Sequence, residues 1–193
     1  MDVLCMPAHP EFHPIKNTSW PEFKTNCRAA FSITHSNAAI EVQFDIKNDY
    51  FKSIQRPVND FVHKDNCVEF FIQFGEENAY YNIEFNCLGI GKMGYGKDRE
   101  DRALMQVAAV NKIKVCRDLH LSKGNFNWKI SLSIPVEVFT FSAIKTLQGL
   151  KCKGNFYKCG DDLPHPHYLS WSKIDAASPD FHLPEFFGKI DFG

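Results

Sequence analysis

Strict alternation of apolar and polar residues constrains this chain more than any other feature, because a period of two sends successive side chains to opposite faces of an extended strand. Ile40, Val42, Phe44 and Ile46 share one face, with Glu41, Gln43 and Asp45 opposite. Val68, Phe70, Ile72 and Phe74 repeat the pattern against Glu69, Phe71 and Gln73. Tyr81, Ile83 and Phe85 do so against Tyr80, Asn82, Glu84 and Asn86, and Phe126, Trp128, Ile130, Leu132 and Ile134 against Asn127, Lys129, Ser131 and Ser133. Weaker strands are expected over 30–34, 113–116, 150–157, 167–170 and 186–192, with turns at Gly75, Asn78, Gly89 and Gly124. Short helical turns are expected near 99–104 and 136–139.

Every such strand leaves one apolar face to cover, and packing two sheets face to face covers them all. The pattern therefore predicts an all-β fold, an antiparallel two-sheet β-sandwich of jelly-roll type with short helical turns. A length of 193 residues suits one domain with a real core. No repeat, low-complexity stretch or linker divides it. The domain is expected over 20–193, with 1–19 as an N-terminal arm that lacks periodicity.

Charge narrows the function. Twenty-two basic residues against 23 acidic ones give a net charge of −1, without a long like-charge run, which removes the electrostatic footprint of a nucleic-acid binder. No apolar stretch approaches the roughly 20 residues of a membrane helix. The start shows neither a basic n-region nor an apolar h-region. Seven cysteines, an odd number without a CxxC pair, read as buried thiols rather than a disulfide framework. Free thiols suit a reducing compartment such as the cytoplasm, and the periplasm or cell surface, after removal of an export signal, is the alternative expectation.

Three constellations invite chemical readings. Gly89-Ile90-Gly91-Lys92-Met93-Gly94 matches GxGxxG, but a dinucleotide fingerprint must open a helix on a parallel sheet, and here it lies in an all-β pattern, so the glycines read as a hairpin or rim loop. His165, His167 and His182, with Cys159, Asp161 and Asp162 nearby, raise the question of a metal site. His165 and His167 share a strand face and could reach one zinc ion, yet Pro164 and Pro166 stiffen the segment and no third ligand follows at a fixed short spacing. No metal site is assigned to them. Calcium, the one candidate cofactor, suits the oxygen donors of Asp161 and Asp162 better. Glu69 and Glu84 have outward parity on neighbouring strands, which reads as a solvated face and, in a minority view, as a glycosidase pair.

Sugar recognition needs an aromatic plane for the C–H face of a pyranose and planar polar groups for its hydroxyls. Trp171 sits among polar residues in His167-Tyr168-Leu169-Ser170-Trp171-Ser172. Trp128 has core parity, and Trp20 reads equally as a packing anchor or a ligand contact.

Two stretches carry a family resemblance. His63-Lys64-Asp65-Asn66-Cys67-Val68-Glu69-Phe70-Phe71-Ile72, followed by Tyr80 to Asn86, resembles the D-x-x-VE-F strand pair of family 9 carbohydrate-binding modules. Gly154 to Asp162, then His167 to Trp171 and Pro184 to Ile190, resembles their closing part, where an acidic loop, a tryptophan and a final F-G strand occur in that order. The resemblance implies a sandwich that binds a glycan end without cleaving it, in polysaccharide use. It implies Trp171 as an aromatic wall, Glu69 as a polar contact and Arg99 or Arg102 as the guanidinium on the hydroxyls. Asp161 and Asp162 supply the acidic loop. Those modules hold the sugar between two tryptophans, and here the region of the first reads Asn59-Asp60-Phe61-Val62-His63-Lys64, so His63 or Phe61 stands in its place. The expected partners are a carbohydrate and a glycoside hydrolase that the module serves. A glycoside hydrolase or metal-dependent hydrolase, and an interaction domain without a ligand, are the alternatives.

Overall fold

The computed structural model describes residues 11–193; Cys5 and the first part of the expected arm lie outside them. Twelve strands run in chain order as β1 His13–Ile15, β2 Arg28–His35, β3 Ala39–Asp49, β4 Cys67–Phe74, β5 Tyr80–Asn86, β6 Gly91–Gly96, β7 Arg102–Leu104, β8 Lys114–Ser122, β9 Asn125–Pro135, β10 Leu150–Cys159, β11 Tyr168–Ser170 and β12 Gly188–Phe192. They form two antiparallel sheets. The smaller has the order β1-β2-β3-β9-β8, and the larger β11-β10-β4-β5-β6-β7, with β12 also pairing with β10. Strand β10 gives one edge to both short strands, Leu150 to Gly154 to β12 and Tyr157 to Cys159 to β11.

The alternation does what its period requires. Phe31, Val42, Phe44, Trp128 and Ile130 of the smaller sheet meet Phe70, Ile72, Ile83 and Phe156 of the larger in one buried core. The Phe156 ring is the keystone, stacked on Phe70 at 4.7 Å and on Phe31 at 3.5 Å between ring centroids.

Around residue 11–19 the backbone is tied down: β1 pairs with β2, and Asn17 forms an isolated bridge with Ser170. A 3-10 turn at Val136–Val138 falls where a helical turn was expected. The other expected turn, at 99–104, is a bend leading into β7; the only α-helix of the described residues is the single turn α1, Val107–Val110. The glycine-rich stretch is not a rim loop either. Gly89 turns the hairpin with φ +81°, and the rest is strand β6, between β5 and β7. Strand β8 runs well past the expected 113–116 because it is an edge exposed along nearly all its length, so burial imprints no alternation on it.

Candidate functional site

The outer face of the larger sheet is roofed. Phe71, Tyr80 and Tyr157 point outward, yet each is completely buried, because Trp20, Ile174 and Phe181 from the segments before β2 and after β11 pack over them in a second apolar cluster. Phe181 stacks on Tyr157 at 4.1 Å, and its carbonyl accepts the Tyr157 hydroxyl at 3.1 Å. Trp20 donates its Nε1–H to the Ala176 carbonyl at 2.9 Å, which makes it a packing anchor. Where the roof stops, beside β4, β5 and β6, it leaves a cavity of about 230 Å³ walled by Phe181, Tyr168 and His182. That is smaller than the roughly 300–1,000 Å³ of sites for drug-sized ligands, and suits a single ring.

Glu69 and Glu84 form the floor. They face each other in the β4–β5 register and are only 4% and 3% exposed, so their outward parity does not mean solvation. Burial and the neighbouring Glu84 carboxylate push Glu69 well above the usual carboxylate range. Burial also acts on Glu84, but the nearby His63 ring and the Lys92 ammonium outweigh it and hold Glu84 below its ordinary value. Of the two, Glu69 is the carboxyl that holds a proton more readily and Glu84 the one that gives it up more readily. Glu84 also accepts from Asn82 Nδ2 at 2.6 Å, with Lys92 Nζ 3.9 Å and His63 Nδ1 3.7 Å away.

Arg102 closes the side formed by β7. Its guanidinium lies over the Tyr80 ring at 4.9 Å. Arg102 Nη1 and the Tyr80 hydroxyl both donate to His182 Nδ1, so that nitrogen carries no proton. Burial, reinforced by the Arg102 charge, lowers His182 to about 3, in keeping with a neutral ring. The remaining edge of Arg102, Nε and Nη2, has no protein partner although both atoms are buried, and the same holds for Asn82 Oδ1 and Glu84 Oε2. Gly94 keeps the approach between them open: a Cβ there would lie 2.7 Å from Asn82 Oδ1 and 3.5 Å from Arg102 Nε.

Of the residues singled out by sequence, the cavity gathers His63, Glu69, Arg99, Arg102 and Asp161. Arg102 is the deep arginine and Arg99 an exposed one at the rim. Asp161 lies 3.9 Å from His63 Nε2, and burial raises its carboxyl above the ordinary value. Asp162 is exposed and outside the cavity; its carbonyl receives the Lys52 ammonium. Trp171 is also outside. It packs edge-on against Phe31 and Phe156 at 5.6 and 5.8 Å and over Gly188, at the border of the inter-sheet core. Phe61 is 57% exposed, beside His63 at 5.8 Å and below the Lys92 ammonium. His165 and His167 part: His167 is buried beside Lys158, whereas His165 is exposed against Tyr50.

Asn82 and Lys92 were not anticipated as site residues, and His182 only as a member of a candidate metal cluster. Asn82 shares the outward parity of Glu84, a signal that could have found it. Lys92 was hidden in the glycine motif.

A family model described as carbohydrate-binding family 9 matches residues 1–192. A solved structure of a protein from Bacteroides uniformis ATCC 8492, named for carbohydrate binding, is 33% identical over 95% of this chain and 87% of that one, with a TM-score of 0.90. Two solved structures of a family 9 module from Caldicellulosiruptor kristjanssonii are more distant. The glucose complex is 12% identical over 94% of this chain and 83% of that one, with a TM-score of 0.60. The cellotriose complex is 11% identical over 94% and 82%, with a TM-score of 0.59. No curated protein sequence matches this chain.

Proposed function

The chain belongs to carbohydrate-binding family 9, and from that premise we propose that the cavity on the outer face of the larger sheet takes one sugar ring end-on and holds it without cleaving it. One observation carries the reading. Among the residues that line the cavity, four buried polar atoms lack a hydrogen-bond partner in the protein: two donors, Arg102 Nε and Nη2, and two acceptors, Asn82 Oδ1 and Glu84 Oε2. A hydroxyl both donates and accepts, so two neighbouring hydroxyls of a pyranose can satisfy all four. Buried polar groups left unpaired are costly, which makes this balance a strong preference for a polyol edge.

Phe61 offers the exposed ring on which the C–H face of the sugar stacks, in the place where a tryptophan was expected. Glu69 and Glu84 stand side by side on adjacent strands, so they line one wall instead of flanking a glycosidic bond from opposite sides as hydrolysis requires. They position hydroxyls. A glucose-configured ring is the first ligand to try, since the related modules hold glucose and cellotriose. In this reading the domain brings a glycoside hydrolase partner to its glycan.

Titration calorimetry with a panel of monosaccharides and oligosaccharides tests this. Arg102→Ala should weaken binding by about 1–3 kcal/mol, as for loss of a central contact residue. Failure of every sugar to bind, or binding indifferent to that substitution, would overturn the reading.

A further inference from the structure

We propose that Cys67, Cys159 and Glu69 form a site for a thiophilic divalent cation, zinc above all, set into the floor of the cavity. Cys67 and Cys159 are direct partners across β4 and β10, both on the outer face, and Glu69 follows two residues along β4 on the same face. One ligand atom from each lies within 4.8 Å of the others, and Cys159 Sγ is 3.1 Å from Glu69 Oε1. Around tetrahedral zinc, with bonds of about 2.0–2.3 Å, donor atoms stand about 3.6 Å apart. Modest rotamer adjustment brings these three donors to that spacing. Glu69 and Cys159 line the cavity and Cys67 lies behind them, so the ion has a route in and its fourth position faces the cavity.

A second cluster shows what distinguishes this one. Cys27, Asp49 and His167 are equally close together, but the Lys158 ammonium already sits among them, 3.1 Å from Asp49 Oδ2 and 3.0 Å from His167 Nε2. Its cation is built in. Glu69 forms no ion pair with a lysine or arginine among the described residues; the Lys92 ammonium lies against Glu84 instead. Binding of Zn²⁺ replaces two S–H bonds by two Zn–S bonds and adds one Zn–O bond, releasing the thiol protons to solvent with no change of oxidation state. Affinity therefore rises with pH. The inference does not depend on sugar binding.

The test uses the full chain, reduced, with zinc or cobalt chloride and no sugar. Wild-type protein should retain zinc stoichiometrically on elemental analysis, and Co²⁺ should produce an intense thiolate-to-metal charge-transfer band. Cys67→Ser and Cys159→Ser should each lose retention and band, while Cys116→Ser, at an exposed cysteine, should keep both. Should the serine variants not fold by circular dichroism, Glu69→Gln serves instead, with at least ten-fold weaker zinc binding expected. No stoichiometric retention by the wild type, or retention unchanged in the folded Cys67, Cys159 or Glu69 variants, overturns the proposal. Loss of sugar binding by calorimetry would leave the cobalt spectrum intact, so the two readings fail separately.

Discussion

At the scale of single residues, the same side-chain type does opposite work in two places. Trp171 looks from sequence like a ligand platform, whereas its ring packs edge-on against Phe31 and Phe156. Trp171→Ala is expected to lower stability by about 2–3 kcal/mol, somewhat below a fully buried aromatic truncation, and to change sugar affinity less than two-fold. Denaturant unfolding with calorimetry on the same samples separates these effects. Gly94 is the converse. A methyl group there meets Asn82 Oδ1 at 2.7 Å, in the gap between the unpaired acceptor and Arg102. Gly94→Ala should cut sugar affinity at least ten-fold, about 1.4 kcal/mol, while the unfolding midpoint moves little. A fall in stability matching the fall in affinity would assign Gly94 to packing alone.

At the scale of elements, β10 carries unlike chemistry on its two faces. Cys159 and Tyr157 point to the roofed side, while Lys158 points inward and is completely buried. Its ammonium contacts Asp49 Oδ2, His167 Nε2 and the Cys159 carbonyl, and Asn66 Nδ2 and Trp128 Nε1 also donate to Asp49. Burial raises Asp49, but Lys158 and His167 outweigh it and hold the carboxyl below its ordinary value. An ion pair so enclosed is costly to break on one side only, because the remaining charge keeps its desolvation penalty. Lys158→Met should therefore destabilise the fold by about 3–5 kcal/mol by chemical denaturation. Pairing it with Asp49→Leu should recover part of that loss, and no recovery would argue against a stranded carboxylate as the cause.

At the scale of the whole molecule, two histidines in different layers, buried His167 and half-buried His182, make the fold acid-sensitive. Burial and the Lys158 charge lower His167 to about 4, and burial and Arg102 lower His182 to about 3. Unfolded histidines take up protons near pH 6.5, so below that the unfolded chain binds more protons than the folded one, and stability falls with pH until the folded values are reached. Melting temperatures measured downward from pH 7 should decline through this window, and His167→Gln should flatten the decline; a flat wild-type profile would contradict the burial of these rings in neutral form. The sandwich itself was legible, because alternation at 40–46, 68–74, 80–86 and 126–134 records which face of each strand is covered. Exposed β8 kept no such record. Part of the site was legible too, since motif resemblance brought His63, Glu69 and the two arginines forward. Parity could say that Glu69, Asn82 and Glu84 share the outer face, but not that Trp20, Ile174 and Phe181 roof it. By itself, then, the sequence determined two sheets and their inner faces, since strand periodicity is a local property. Only tertiary structure decided that the outer face encloses a cavity, that Trp171 lies away from it, and that Cys67 meets Cys159. Each of these depends on which distant segments pack together, and no local pattern encodes that.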